Sequence, residues 1–251
     1  MMFDNPYFWA AAIPAVMMIG LSKGGLGPLG TLAVPILSLA ISPVQAAGIT
    51  LPIFVLSDLV AVISYRRHFD AGILKVMLPA GLLGIGLGWL TAAWVTDDVV
   101  RLIVGAVSVL FALNYWLRGR RGLEPARRSL PRGGFWGAVA GYTSFVSHSG
   151  GPPFQLYVLP LRLEPQVFAG TSVLFFAVIN ATKLIPYFFL GQFTPAHLQM
   201  AAVLAPLSIV CALGAVWLVK VIDQTVFYRM IYALMFAIGL FLIGQAAMDM
   251  I

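Results

Sequence analysis

Ten apolar runs follow one another along the chain, and the polar segments between them are short. The runs cover about residues 6–21, 28–41, 44–65, 72–95, 98–117, 133–147, 152–162, 166–190, 195–219 and 225–247. Only 10% of the residues are charged, whereas soluble domains carry roughly 25%. The pattern predicts an all-α polytopic membrane protein in which residues 1–251 form a single transmembrane domain.

Run length separates two kinds of segment. A helix needs about 20 residues to cross a bilayer. The third, fourth and fifth runs of each half are long enough, and the first two runs of each half are shorter. The short runs are compatible with short tilted helices or with a re-entrant hairpin, and the sequence leaves both open.

Basic residues predict the orientation in the membrane. The connector of residues 118–132 contains six arginines and one glutamate. Short loops rich in Lys and Arg stay in the cytoplasm, so we expect this connector inside. Counting crossings from it places both termini outside. Arg101, beside an acidic turn, is the one basic residue that fits this orientation poorly.

The two halves share a pattern at a constant offset of 122 residues. Seven positions of the first half match seven of the second: Pro43, Ala47, Gly48, Thr50, Phe54, Asp58 and Tyr65 correspond to Pro165, Ala169, Gly170, Ser172, Phe176, Asn180 and Tyr187. We therefore predict repeat one at residues 6–117 and repeat two at 133–247. An odd number of crossings in each half makes the repeats inverted, which favours alternating access around a site at their interface.

Glycine-rich breaks interrupt both halves at residues 20–30 and 147–153. Paired interruptions in matching positions are the best sequence pointer to the central site of a transporter. Such breaks offer backbone N–H groups at the N-termini of half-helices, where the helix dipole favours an anion. The alternative is that the glycines only let helices cross closely. For Gly84 and Gly88, inside an uninterrupted run, we prefer that packing interpretation.

Three charged residues are candidates for the site. Lys183 is deep in its run, where a charge is costly and indicates function by default. It would balance an anionic substrate, unless it snorkels to the interface or pairs with a structural acid. Lys23 lies in the first break and would act similarly, or is a loop charge. Asp58, the counterpart of Asn180, pairs with either lysine or takes up a proton during transport.

The remaining candidates are hydrogen-bond donors. His148 is a donor beside the second break, and an imidazole titrates close enough to neutral pH to sense it; the alternative is a histidine packed at a helix end. His68 and His197 are expected to be solvated. The complete predicted substrate-binding set, with Asp58 as the coupling candidate, is Ser22, Lys23, Gly24, Gly25, Thr50, Ser147, His148, Ser149, Gly150, Gly151, Thr171, Ser172, Asn180 and Lys183.

The second half carries the most specific stretches, Ser147-His148-Ser149-Gly150-Gly151-Pro152-Pro153, then Gln155-Leu156-Tyr157-Val158-Leu159-Pro160, Gly170-Thr171-Ser172, and Asn180-Ala181-Thr182-Lys183-Leu184-Ile185-Pro186-Tyr187. These stretches, with the glycine-rich segment of the first half, resemble the TauE/SafE family of membrane transporters, the sulfite and sulfonate exporter type. The resemblance covers nearly the whole chain. It implies two inverted repeats and the export of small sulfur-containing or carboxylate anions. Pro28 and Pro152 depart from the triple glycine usual in the family.

The sequence thus predicts a secondary transporter of a small anion, with an anion channel or an intramembrane enzyme as alternatives. An enzyme is disfavoured because adjacent side chains on a helix point apart, so that Ser147, His148 and Ser149 do not form a nucleophile–base pair. The single Cys211 excludes a disulfide framework. We predict no catalytic residue, metal or cofactor. The expected partners are a small anion and the lipid bilayer of a bacterial cytoplasmic membrane, without nucleic acid; homo-oligomerisation is left open.

Overall fold

The computed structural model describes residues 5–91, 94, 97–118 and 126–249, and within them the chain is helical and contains no strand. The helices are α1 (Pro6–Lys23), α2 (Ala33–Leu37), α3 (Pro43–Tyr65), α4 (Ala71–Thr91), α5 (Asp97–Arg118), α6 (Leu130–Ser147), α7 (Gly151–Val158), α8 (Pro165–Phe189), α9 (Pro195–Val221) and α10 (Gln224–Asp249). Short 3₁₀ helices lie at Gly27–Leu32 and Leu159–Leu161. The all-helical class is confirmed.

Five helices of the described chain are long and apolar enough to cross a membrane, which makes this an integral membrane protein. They are Val44–Tyr65, Ala71–Thr91, Pro165–Phe189, Pro195–Val221 and Gln224–Met248. Residues Arg101–Leu117 of α5 form a shorter apolar helix. The crossing that we expected at residues 98–117 stays a prediction. Near the start of α5, the buried Arg101 forms an ion pair with Asp98, with 3.5 Å between Nη1 and Oδ1.

Polar side chains set where several helices begin. The Ser42 hydroxyl accepts a hydrogen bond from the Gln45 N–H, and the Gln45 side-chain oxygen accepts one from the Ser42 N–H. This capping box satisfies two N–H groups that a helix start otherwise leaves unpaired. Asn5 caps α1 in a similar way, accepting a hydrogen bond from the N–H of Tyr7.

Both predicted breaks are true helix ends. Helix α1 stops at Lys23, where the N–H of Gly24 donates to Gly20 O, and the following Gly25 has φ 118°, which favours glycine. Helix α6 stops at His148, a non-glycine residue in the left-handed region with φ 53°. The short helices that follow, α2 and α7, have 5 and 8 residues, so neither crosses a bilayer alone.

The chain divides into two compact units that interleave along the sequence. Unit 1 comprises Met1–Phe69 and Ala169–Val221, and unit 2 comprises Asp70–Phe168 and Ile222–Ile251. In unit 1, α1 packs against α3 and α9, and in unit 2, α4 packs against α6 and α5 against α10.

Glycines permit the close helix crossings inside each unit. In unit 1, a Cβ at Gly20 would collide with the backbone oxygen of Ser208 on α9. In unit 2, a Cβ at Gly84 would collide with the backbone oxygen of Ala138 on α6, and one at Gly88 would lie 3.1 Å from the Phe145 side chain. The packing interpretation of Gly84 and Gly88 is therefore confirmed.

Candidate functional site

Helices α3 and α8 of unit 1 each carry a stripe of matching residues. Spacings of three and four place residues on one face of a helix. All stripe residues are buried except Phe176, which is half-buried. The stripe of α3 is Thr50, Phe54, Asp58, Ala61 and Tyr65, and that of α8 is Ser172, Phe176, Asn180, Lys183 and Tyr187, each position offset by 122.

The two striped helices run antiparallel. A Cβ at Gly48, near the start of α3, would lie 2.6 Å from Gln192 O, just beyond the end of α8. A Cβ at Gly170, near the start of α8, would collide with His68 O, just beyond the end of α3. The start of each helix therefore lies against the end of the other.

Asp58 is at the centre of the buried polar contacts between these helices. Lys23 Nζ lies 2.7 Å from Asp58 Oδ1, and Asn180 Nδ2 donates to Asp58 Oδ2 at 2.9 Å. Lys23 and Asp58 are only 4% and 3% exposed. Of the two lysines proposed as partners of Asp58, Lys23 forms the direct ion pair. Because it is buried, Lys23 is not a solvated loop charge.

Aromatic rings surround the Lys23 ammonium. Its Nζ lies 5.0 Å from the centre of the Phe54 ring and 5.9 Å from that of Phe176. At these distances the face of a ring attracts a cation. The neighbouring Tyr65 hydroxyl donates to Gly24 O at 2.6 Å. The first break is thereby held against α3, and its lysine lies close to two aromatic residues that correspond in the repeats.

Lys183 adds a second ammonium to the same region. Its side chain is fully buried, with Nζ 5.8 Å from the centre of the Tyr187 ring. It lies one helical turn after Asn180. Its charge interacts unfavourably with Lys23 and favourably with Asp58. The structure thus places Lys183 inside the protein rather than snorkelling to an interface.

The serine and threonine hydroxyls are already engaged with the backbone. In unit 1, Ser22 Oγ donates to Ile19 O at 2.8 Å and Thr50 Oγ1 to Ala47 O at 3.4 Å. In unit 2, Ser147 Oγ donates to Thr143 O at 3.2 Å and Ser149 Oγ to Ser147 O at 3.1 Å. Thr171 and Ser172 are buried on α8. In this conformation the four hydroxyls that bond the backbone do not offer their hydrogens to an anion.

The second break, in unit 2, is a tight turn. The backbone N–H groups of His148 and Ser149 both donate to Thr143 O, closing α6. The His148 side chain is 8% exposed, so this histidine is packed at a helix end. Gly150 and Gly151 then begin α7. Among the described residues, no three His, Cys, Asp or Glu side chains gather where they could hold a metal ion.

The other two histidines have different environments. His68 is exposed, as expected. The expectation was wrong for His197, which is 8% exposed and whose Nδ1 donates to Gln192 O at 2.8 Å. The carbonyl of Gln192, at the turn between α8 and α9, gives the ring a partner and allows its burial.

Two features of the site escaped the sequence analysis. One is that the matching positions form single helix faces, although their spacings of three and four residues already indicated it. The other is Gln155 on α7, which is 1% exposed and has no hydrogen-bond partner for its side chain in the described part of the chain. The sequence did contain a signal for Gln155, because its amide side chain lies within an apolar run.

Comparison with known proteins gives the family. A family model described as sulfite exporter TauE/SafE matches residues 12–242, nearly the whole chain and both breaks. No curated protein and no solved structure matches. Members of this family are membrane transporters rather than enzymes. On this match, the chain belongs to the TauE/SafE family of sulfite exporters.

Proposed function

We propose that the chain is a secondary transporter that exports a small anion across the bacterial cytoplasmic membrane by alternating access. The substrate class is sulfite, a sulfonate or a related sulfur-containing or carboxylate anion. The observation that carries the proposal is the buried group of Lys23, Asp58 and Lys183. With both lysines protonated, this group has one net positive charge. Charges are screened less in a protein interior than in water, so two buried ammonium groups beside one carboxylate would attract a small anion more strongly than exposed lysines do.

The arrangement of α3 and α8 supports inverted repeats. Asp58 and Asn180, which correspond at the repeat offset, bond to each other. Phe54 and Phe176 correspond in the same way, and their ring centres lie 5.0 Å and 5.9 Å from the Lys23 ammonium. Contact between corresponding residues is expected where a two-fold axis passes between repeats. Inverted-repeat transporters bind substrate at the repeat interface, which is where this proposal puts the charged group.

The lysines themselves do not repeat. At the same offset, the position corresponding to Lys23 is Phe145 and that corresponding to Lys183 is Ala61. The positive charges are therefore additions to a repeated framework of aromatic and amide side chains. Because neither lysine belongs to the repeated pattern, a role outside that pattern, such as binding the anion, is consistent with their positions.

Flux through proteoliposomes tests the proposal. Purified protein is reconstituted with sulfite or ethanesulfonate inside, and efflux is measured with and without a pH gradient and with unlabelled anion outside. We expect saturable efflux that external substrate accelerates, because an alternating-access carrier returns faster when loaded. Non-saturable efflux without this acceleration would favour the anion channel. Chemical conversion of the anion would favour the enzyme. Efflux no faster than from anion-loaded liposomes without protein would contradict both the transporter and the channel.

A further inference from the structure

Gln155 of unit 2 is an unsatisfied amide in the interior. Its side chain is 1% exposed, and neither Nε2 nor Oε1 has a hydrogen-bond partner within the described ranges. Leaving a buried polar group unpaired costs about 1–3 kcal/mol. Such groups in native proteins call for a specific explanation, often a bound molecule that a bare chain does not include.

Helix geometry places this amide near the start of α7. Gln155 follows Gly151 by four residues, so the two share one face. Side chains of a helix lean towards its N-terminus, and Gly151 has no side chain to lie in the way. The Gln155 amide therefore extends along this face towards the first turn of the helix.

The first turn of α7 offers two donors of its own. The N–H groups of Gly150 and Gly151 donate to no acceptor in the part of the chain that the structure describes. Pro152 and Pro153 have no N–H to contribute. The start of a helix also favours negative charge. An anion at this end would thus meet two backbone donors and the Nε2 donor of Gln155.

Two hydroxyls at the second break donate to backbone carbonyls and not to the Gln155 amide oxygen. Thr143 Oγ1 donates to Val139 O at 2.8 Å, and Ser149 Oγ donates to Ser147 O at 3.1 Å. Oxygens of a simple sulfonate only accept hydrogen bonds, so they would pair with Nε2 and leave Oε1 unpaired. A ligand that has a hydroxyl as well as an anionic group would satisfy both ends of the amide.

We propose that Gln155, Gly150 and Gly151 form a subsite for an oxyanion that carries its own hydroxyl donor, such as a hydroxyalkylsulfonate. The anionic oxygens accept from the two glycine N–H groups and from Nε2, and the ligand hydroxyl donates to Oε1. Gln155 is then a specificity residue. This inference rests on the proposed transport of anions, because the same class of substrate is taken to occupy the subsite.

A matched ligand pair tests the subsite. Isethionate and ethanesulfonate differ by one hydroxyl, and their binding to the purified full-length protein is measured by calorimetry. We expect the wild type to prefer isethionate roughly tenfold, the value of one well-placed hydrogen bond to a buried partner. Gln155→Met, of similar length but without donor or acceptor, should bind both sulfonates with affinities within about twofold of each other.

Controls separate this inference from the transport proposal. Gln199→Met, at an exposed glutamine, should keep the wild-type preference. If Gln155→Met does not fold, Gln155→Leu provides the same test. Equal binding of both sulfonates by the wild type would overturn the subsite and leave anion transport standing. Failure of the wild type to bind either sulfonate or sulfite would overturn both proposals.

Discussion

Asn180 Nδ2 donates a 2.9 Å hydrogen bond to Asp58 Oδ2, and the two residues are 122 positions apart, the offset that relates the two halves. An amide and a carboxylate at corresponding positions make a complementary pair that two identical carboxylates would not, because like charges repel. The difference between Asp58 and Asn180 is therefore what permits their contact. It also leaves a carboxylate on α3 that forms an ion pair with Lys23.

The ion pair between Lys23 and Asp58 should be essential for stability. Removing one partner of a buried pair leaves an uncompensated charge and costs about 3–5 kcal/mol. We expect Lys23→Met to lower the unfolding temperature strongly in detergent. Adding Asp58→Asn should restore most of the loss, because the orphaned carboxylate is then gone.

This comparison is a double-mutant cycle. If Lys23→Met alone unfolds at the wild-type temperature, the pair contributes nothing to the fold. Equal destabilisation of the single and the double variant would mean that the methionine disturbs the packing between Phe54 and Phe176 rather than the charge.

Gly170 should not tolerate a side chain. A Cβ at this position would collide with the backbone oxygen of His68, and overpacking of this kind costs about 1–3 kcal/mol. We expect Gly170→Ala to lower the unfolding temperature. Gly214→Ala is the matched control, since nothing lies within 4 Å of its Cβ position on α9. Equal effects of the two substitutions would contradict the close approach of α8 to the end of α3.

Apolar composition and the two breaks made the fold class and the ends of α1 and α6 predictable. Hydrophobic runs report which segments enter the membrane, and glycine with proline reports where a helix stops. The burial of Lys183 followed from its distance to either end of its run. These predictions depend only on position along the chain.

The choice of ion-pair partner was not predictable in the same way. Lys23 and Lys183 both had a suitable depth for Asp58, and depth does not determine which face of a helix meets which neighbour. That depends on how α1 crosses α3. The position of α1 depends in turn on its close packing against α9 at Gly20 and Gly24. His197 was mistaken for a solvated residue for a similar reason, because its partner is a carbonyl in the preceding turn.

Membrane sidedness is a direct test of the repeat assignment. We expect the connector of residues 118–132 inside and both termini outside, because short basic loops stay in the cytoplasm. Cys211 is the only cysteine, so Cys211→Ala gives a background without native thiols. Single cysteines replacing exposed Tyr7, Arg127 and Met248 are then labelled in intact cells. Termini on opposite sides would contradict an odd number of crossings in each half.

Asp223 should make stability depend on pH in the acid range. The backbone N–H groups of Thr225 and Val226 donate to its carboxylate and lower the pKa of Asp223. Because the folded pKa lies below the unfolded one, the stabilisation is present above the unfolded pKa. It is lost as the pH falls through the folded pKa.

Asp223→Asn removes this titration and keeps a capping side chain at the start of α10. The difference in unfolding temperature between wild type and variant should be largest near neutral pH and should vanish in acid. Thermal unfolding across the pH range measures it. A difference that stays constant down to strongly acidic pH would show that the carboxylate charge has no part in capping α10.

Lys183 should be required for anion binding and dispensable for folding. Lys23 and Asn180 contact the two oxygens of Asp58, so Asp58 keeps both contacts when Lys183 is replaced. A methionine fills a similar volume with an adaptable apolar chain, and it removes the cost of burying an ammonium. We therefore expect Lys183→Met to unfold at or above the wild-type temperature while losing at least about tenfold in affinity for sulfite.

Lys183→Arg should keep part of the binding, since the charge remains but the planar guanidinium has a different geometry. Lys220→Met, at an exposed lysine near the end of α9, controls for the loss of one positive charge and should bind as the wild type does. Wild-type transport by Lys183→Met would make this lysine peripheral to the site. A variant that folds only when Asp58→Asn is added would instead make Lys183 a structural partner of Asp58. Opposite responses are expected for Lys23→Met and Lys183→Met because the 2.7 Å ion pair with Asp58 belongs to Lys23 and not to Lys183.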